Sequence, residues 1–220
     1  MVLQEEIAEF SGSGSKGRSK NIRNRKYERQ REKILSKAGR LFWKKGYLGT
    51  STDDIARVTS LNKSTIFYYF NNKVSILYTL AIKSMIDLLK RAQHIVESKT
   101  TPENKLKKLI TSHIHWQTSN IGLAGVGQLE IRNLSPKLRR ELVAMRDQYE
   151  SLFRNVIEEI ASSDGYKLKK EEVNLFSLFI LGFLNSMVQW YDPNGPQSPE
   201  KIASQASGFV FYGLETLKKE

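Results

Sequence analysis

The chain has 220 residues, 40% of them hydrophobic and none of them cysteine, and its formal net charge is +12. That length suits a small module plus one larger domain, and the lack of cysteine excludes disulfides and thiolate metal sites. The charge is uneven: residues 1–75 hold 16 Lys and Arg against 7 Asp and Glu, whereas the other 145 hold 19 against 16. A positive field concentrated at one end indicates a partner that carries phosphate groups.

The N-terminal region is predicted to be a flexible basic arm, residues 1–26. The first ten residues, MVLQEEIAEF, carry acids where a secretory signal carries cations, so we expect a cytoplasmic protein. Ser11–Gly17 is typical of a linker. Lys16–Lys33 then holds nine Lys and Arg against two Glu. Three of these cations are candidates for minor-groove contacts, with nonspecific attraction to DNA as the alternative: Arg18, Arg23 and Arg25.

Residues 27–75 are predicted to form a three-helix module. Apolar side chains at three- and four-residue spacing indicate a first helix over 27–45, and Gly46 suits its left-handed end. Ser51 stands three residues before the acid Asp54, a pattern typical of a capped second helix.

A third helix, Lys63–Tyr69, follows a turn at Ser60–Asn62, and Asn62 is its predicted cap. Its outer face presents short polar groups, one cation and two phenols, which suit a helix that enters a major groove and holds phosphates: Lys63, Ser64, Thr65, Tyr68 and Tyr69. At the start of the next helix, free amides and Lys73 can together hold a phosphate.

This segment resembles the DNA-binding element of the TetR family of bacterial repressors. The shared motifs are Leu41-Phe42, Gly46-Tyr47, Thr50-Ser51, Asp54-Ile55-Ala56, Thr65-Ile66, Tyr69-Phe70 and Asn72-Lys73. The resemblance implies an arginine-rich lead-in and DNA contacts from Arg25, Ser51, Thr52, Lys63, Ser64, Thr65, Tyr68, Tyr69 and Lys73. The chain departs from the family pattern at Ser64, Val74 and Phe67, which lacks the hydroxyl that the family often places on a phosphate. A small helical hairpin that never meets DNA is the alternative.

Residues 76–220 are predicted to form a helical ligand-binding and dimerisation domain. No strand alternation occurs, so the predicted fold class is all-α. A long helix over Lys73–Ser98 can connect module to body. Four further helices are predicted to start near Pro102, Pro136, Lys169 and Pro199, three of them opened by a proline. We expect flexible backbone at Gly122–Gly127 and a short helix over 128–134.

The stretch Leu175–Leu184 is nearly all apolar, but Asn185, Ser186 and Gln189 interrupt it before the ~20 residues of a membrane span. A helix apolar on all sides is buried on both faces. We therefore expect one face to contact a partner subunit, in a four-helix dimer interface completed by the last helix. The alternative is an ordinary monomer core. A two-fold protein also suits a palindromic operator.

Aromatic and polar side chains are predicted to converge inside the body, where an apolar cavity with sparse polar groups suits a small ligand. They are His113, Trp116, Gln117, Gln128, Tyr149, Phe153, Phe176, Phe179 and Phe183, with a plain aromatic core as the alternative. His113 and His115 point to different helix faces, so no metal pair is expected. We expect no catalytic site and no cofactor.

The C-terminal pattern, Asn185, Trp190-Tyr191, Pro193, Gly195, Ser198-Pro199-Glu200 and Ile202-Ala203, is similar to a TetR branch that answers to acyl-CoA thioesters. Gln128-Leu129-Glu130, Leu134-Ser135-Pro136, Arg146 and Tyr149-Glu150 extend that likeness. It implies a homodimeric repressor of fatty-acid or related catabolism, released from DNA when an acyl tail fills the cavity. The candidate cations for the nucleotide phosphates are Arg132, first among them, with Arg139, Arg140, Lys105 and Lys108. A multidrug-efflux-type repressor and a ligand-independent DNA-binding protein are the alternatives.

Overall fold

A computed structural model describes residues 15–217 of the chain, with side chains from residue 24 onward. Every regular element in that range is helical, which confirms the all-α class. The elements are α1 (Ser15–Lys45), α2 (Thr52–Thr59), α3 (Lys63–Tyr69), α4 (Lys73–Val96), α5 (Pro102–Ser119), α6 (Ile121–Leu129), a 3₁₀ turn (Ile131–Asn133), α7 (Pro136–Ser163), α8 (Lys170–Asn185), α9 (Met187–Trp190) and α10 (Pro199–Leu217).

Helix α1 begins twelve residues earlier than the sequence pattern predicts. Residues 15–26, expected to be a mobile arm, form its first turns. The reason is local: this stretch is rich in Lys, Arg and Asn, contains no proline, and Lys and Arg are good helix formers. Residues 1–14 of the predicted arm lie outside the described part of the chain.

Helix α6 occupies the glycine-rich stretch where we expected flexible backbone. It runs Ile121–Leu129, and the short helix predicted over 128–134 is instead the end of α6 followed by the 3₁₀ turn Ile131–Asn133. Gly122 and Gly125 face the indole of Trp43, and a β-carbon built on Gly125 would lie 1.9 Å from that ring. Glycine is therefore required here by close packing between helices rather than by flexibility.

The buried side chains form two clusters. One joins α1–α3 to the first half of α4 and also includes Val126, Leu134 and Leu142. The other fills the body between the second half of α4 and helices α5 to α10. Because α4 contributes to both clusters, it ties the N-terminal module to the body along its 24 residues, a length of ~36 Å.

Candidate functional site

The helix-turn-helix is fixed by side-chain caps. The Ser51 hydroxyl accepts a hydrogen bond from the Asp54 amide, and the Asp54 carboxylate accepts one from the Ser51 amide, each at 3.0 Å. The bonds from the Ser51 amide and hydroxyl lower the pKa of Asp54 to about 2. Ser60 ends α2 in the left-handed region, with φ of 57°. The capping predicted for Ser51 and Asn62 is thereby confirmed, since Asn62 accepts from the Thr65 amide at 2.7 Å.

The exposed face of α3 carries most of the side chains predicted to contact DNA. Ser64 and Thr65 donate their hydroxyls to the Asn62 side chain. Lys63 pairs with Asp53 of α2 at 3.0 Å, and both side chains are at least half exposed. An exposed pair of this kind stabilises little. A phosphate can therefore replace Asp53 as the partner of Lys63 at small cost.

Tyr27 of α1 orients the two tyrosines at the end of α3. Its ring centroid lies 4.8 Å from that of Tyr69 and 6.0 Å from that of Tyr68. Tyr68 remains 71% exposed, whereas desolvation raises the pKa of Tyr69. The sequence shows Tyr27 only as the start of a helical pattern, and its contact with α3 is visible only in three dimensions.

Lys73 is turned toward the N-terminal module. Its ammonium donates to the carbonyls of Tyr47 at 2.8 Å and Thr50 at 2.7 Å, and it lies 4.1 Å from the Tyr47 ring centroid. Burial lowers the pKa of Lys73, and Glu130 opposes that effect. The ammonium thus joins α4 to the segment before α2. The predicted phosphate contact of Lys73 stays a prediction, as do those of Arg25 and Ser51, which are exposed, and Thr52, which is half-buried.

The N-terminal module and the body meet at α6. Trp43, near the end of α1, covers Gly122 and Gly125, and its indole is 40% exposed. The Tyr47 amide donates to the Glu130 carboxylate at 3.2 Å, beside the end of α6. A displacement of α6 must therefore move Trp43 and Tyr47, which frame the start of the helix-turn-helix.

A cavity of about 430 Å³ lies within the body, on the side of α6 that faces away from Trp43. Its apolar wall comes from α4, α6, α7 and α8: Ala81, Met85, Leu88, Leu123, Ala124, Leu142, Leu178 and Leu181. Its polar wall is formed by Ser84, His113, Gln117, Gln128, Arg146, Tyr149, Glu150 and Asn185. An apolar enclosure of this volume with a few convergent polar groups suits a small amphipathic molecule.

A hydrogen-bonded chain connects most of the polar wall. The ring nitrogens of His113 lie 3.0 Å from the Tyr149 hydroxyl and 2.8 Å from the Gln117 side-chain oxygen. The Gln117 amide donates to the Asn185 carbonyl at 3.1 Å, and Gln128 donates to the Asn185 side chain at 3.0 Å. Burial lowers the pKa of His113 to about 4, against the hydrogen bonds to Gln117 and Asn185. The imidazole is therefore neutral at neutral pH.

Of the nine aromatic and polar side chains that were predicted to converge, the structure brings five to the cavity lining: His113, Trp116, Gln117, Gln128 and Tyr149. Phe153 is fully buried beside Tyr149 in the core instead, and Phe176 is half-buried against Gly213 of α10. Arg132 lies exposed on the 3₁₀ turn. Phe179 and Phe183 are 63% and 41% exposed on the outer face of α8, because that helix is apolar on every side and periodicity does not select its inner face.

Asn185, Asp87 and Arg146 line or support the cavity but were not predicted as site residues. Asp87 accepts a hydrogen bond from the Trp116 indole at 2.7 Å. Asn185 and Arg146 belong to the motifs that carry the family likeness, and that was their signal in the sequence. In the part of the chain that the structure describes, no group of three potential metal ligands comes together.

The outer faces of α8 and α10 form a continuous apolar surface, made of Leu175, Leu178, Phe179, Phe183, Phe209 and Tyr212, all more than 40% exposed. The rings of Phe183 and Phe209 adjoin at 5.8 Å between centroids. A β-carbon on Gly208 would meet nothing within 4 Å, so a second backbone can approach closely there. We call this surface the α8–α10 face.

The stretch Lys170–Trp190 is the one helical segment among the described residues that is long and apolar enough to cross a membrane. It is broken near Ser186 into α8 and α9, and a third of its most apolar part is buried inside the protein. Its Asn185 takes part in the polar chain of the cavity. These contacts are typical of a core helix with one uncovered face.

Comparison with known proteins identifies the class. Residues 34–78 match the model of bacterial regulatory proteins of the tetR family, and residues 99–214 match the tetracyclin repressor-like C-terminal domain. The second match alone covers more than half of the chain. The chain therefore belongs to the TetR family of transcriptional regulators.

Individual relatives agree with this membership. The chain is similar to the fatty acid metabolism regulator protein of Bacillus subtilis, with 26% identity over 70% of this chain and 79% of the relative. It is similar to the HTH-type transcriptional repressor KstR2 of Mycolicibacterium smegmatis, with 24% identity over 84% and 90%. Its fold matches that of AibR in complex with isovaleryl coenzyme A and operator DNA, with a TM-score of 0.73 and 22% identity over 83% and 98% of the chains.

Proposed function

We propose that this protein is a ligand-responsive transcriptional repressor that binds a palindromic operator as a homodimer and is released by a hydrophobic effector. The observation that carries the proposal is the position of α6. One side of this helix lines the cavity, and its glycines hold Trp43 of the DNA-binding module. A molecule that enters the cavity therefore contacts α6, the helix that also packs against the DNA-binding module.

On the DNA side, we propose that residues 27–75 form the reading module. Helix α3 would lie in the major groove, with Lys63, Ser64 and Tyr68 as its most exposed polar groups. Exposed cations along α1, Arg25 among them, would contact the backbone and make binding salt-dependent. These assignments rest on exposure, charge and the family to which the module belongs.

In the body, residues 76–220, the proposed partner of the α8–α10 face is a second copy of the same face. Two helices from each subunit would then form a four-helix interface. A two-fold dimer places two α3 helices on adjacent half-sites about one helical turn apart, ~34 Å. The exposed phenylalanines of this face find apolar partners in that arrangement.

The proposed effector is an acyl-CoA thioester. The relatives support this choice: one regulates fatty acid metabolism, and AibR was solved with isovaleryl coenzyme A. The acyl group would occupy the cavity, while the nucleotide would remain outside, near exposed cations such as Arg139 and Arg140. The effector acts by population shift, because it stabilises one placement of α6 and α4 over another. A coupling of ~1–3 kcal/mol corresponds to roughly a 5- to 150-fold loss of DNA affinity.

A thermal-shift panel tests the effector class. Acyl-CoA thioesters of increasing chain length should raise the melting temperature, since a ligand that binds only the folded state stabilises it by mass action. Free acids and hydrophobic cationic drugs form the other two arms of the panel. A rise with drugs alone would favour a multidrug-efflux-type repressor, and no rise with any compound would remove ligand sensing altogether.

A further inference from the structure

The cavity wall contains one cation that has no carboxylate partner among the described residues. Arg146 of α7 is half-buried, and its guanidinium donates to the Gly127 carbonyl of α6 at 2.8 Å. The neighbouring charged residue of the wall is Glu150, one helical turn away. Its carboxylate pairs with Arg154 at 2.8 Å and accepts the Ser177 hydroxyl at 3.1 Å. Glu150 therefore has a charged partner, Arg154, whereas Arg146 has no carboxylate partner among the described residues.

A partly buried cation without a counter-ion is costly, because burial removes water that its protein surroundings must replace. That loss of water lowers the pKa of Arg146. One carbonyl uses only part of the five N–H donors of a guanidinium, whose planar fork fits a carboxylate with two parallel hydrogen bonds. The side chain thus has both unused donors and an uncompensated charge beside the cavity.

The structure assigns to Arg146 a binding role: it receives a carboxylate that the effector carries into the cavity. A single carboxylate matches the single unit charge, whereas the phosphates of a nucleotide carry several charges and would need several cations. The apolar wall from α4 and α6 then takes the hydrocarbon part. This inference rests on the cavity being the effector site. The carboxylate has two possible sources, a free acid or the far end of an acyl chain that is joined to coenzyme A at its other end.

Matched ligands test the inference on the wild-type protein by titration calorimetry. Octanoate should bind more tightly than octanol, and the mono-CoA thioester of octanedioic acid more tightly than octanoyl-CoA, by roughly ten- to a hundredfold for a charge-assisted pair. If the first difference appears alone, the source is a free acid, and if the second appears alone, it is the acyl chain. Equal affinities within both pairs would overturn the assignment, whether or not any variant folds.

Two variants complete the experiment. Arg146→Met should abolish the preference for the carboxylate member of each pair. Lys137→Met is the control, because Lys137 is an exposed cation on the same helix that does not line the cavity. If Arg146→Met lowers the melting temperature yet keeps the preference, the side chain only caps α6, and the assignment fails.

The outcomes separate this inference from the proposed function. DNA release by octanoyl-CoA, with no dependence on a second carboxylate or on Arg146, would keep the proposed function and remove the inference. Arg146-dependent binding of octanoate, with no DNA release by any thioester, would keep the inference for a free acid and remove the thioester from the proposed function.

Discussion

The protonation of His113 depends on its burial in the wall of the cavity. It is fully surrounded by protein, contacts Tyr149 and Gln117, and has a pKa lowered to about 4 by burial. In the unfolded chain its pKa is the ordinary 6.5. Between about pH 4 and pH 6.5, the unfolded state therefore binds a proton that the folded state does not bind. Above pH 6.5 neither state carries the proton, and the stabilisation is complete.

We expect the free energy of unfolding to fall as the pH drops from about 6.5 to about 4, by up to about 3 kcal/mol from this residue. Urea unfolding at a series of pH values measures it. His113→Gln should flatten that pH dependence, because glutamine does not titrate. If the two proteins lose stability in parallel over this range, the imidazole is not held neutral by burial.

The two roles considered for Lys73, a structural link to backbone carbonyls and a contact with a DNA phosphate, can be separated by experiment. If the ammonium serves chiefly to join α4 to the carbonyls of Tyr47 and Thr50, Lys73→Met should lower the free energy of unfolding by about 1–3 kcal/mol without DNA. The salt dependence of DNA binding should then be unchanged. If Lys73 instead contacts a phosphate, the slope of log K against log salt should fall by about 1. Anisotropy titrations at several salt concentrations decide between them.

Among the helices, α6 contacts the N-terminal module on one side and lines the cavity on the other. It packs on Trp43 through Gly122 and Gly125, and its opposite side lines the cavity through Leu123, Ala124 and Gln128. It therefore lies between the proposed effector and the DNA-binding module. Any side chain added on its Trp43 side must displace α1 or α6.

Gly125→Ala should destabilise the protein by about 1–3 kcal/mol, because its β-carbon would lie 1.9 Å from the Trp43 ring. It should also change DNA affinity without touching DNA. Gly127→Ala is the control on the same helix, since its β-carbon meets nothing within 4 Å. That control should gain up to ~1 kcal/mol from helix propensity. Thermal unfolding of both variants is the measurement, and equal effects would mean that Trp43 does not wedge against α6.

The helices whose ends are set by hydrogen bonds between residues close in sequence could be predicted. Features that depend on contacts between residues distant in the chain could not. Ser51 and Asn62 act through bonds to residues three positions ahead, so α2 and α3 begin where the sequence indicates. The glycines of α6 have no local reason to be helical, and their explanation, Trp43, lies some 80 residues earlier. Likewise, α8 is apolar on all sides, so its cavity-facing Leu181 and outward Phe179 look alike in sequence.

At the scale of the whole molecule, the α8–α10 face is the main surface left unexplained by a single subunit. A large exposed apolar patch on a protein marks an interaction site. The face is far along the chain from the DNA-binding module, yet α4 contributes buried residues both to the cluster of that module and to the cluster that includes α8 and α10. Dimerisation there would fix the spacing of the two modules on DNA.

If the proposed dimer forms through this face, Phe179→Glu should convert it to a monomer, because a carboxylate would be buried without a partner in the interface. Val143→Glu is the control, since Val143 is an exposed apolar residue that lies on α7, outside the α8–α10 face. Sedimentation velocity measures both. A wild-type protein that sediments as a monomer would contradict the proposed interface.

The most direct test of the central claim is DNA selection followed by release. Duplexes are selected from random oligonucleotides at moderate ionic strength, and anisotropy then measures binding with and without octanoyl-CoA and its longer homologues. We predict a selected palindromic fragment that binds two subunits, with affinity lowered roughly 5- to 150-fold by at least one thioester. No preference for any selected fragment would contradict the account, since the basic module would then have no operator to occupy.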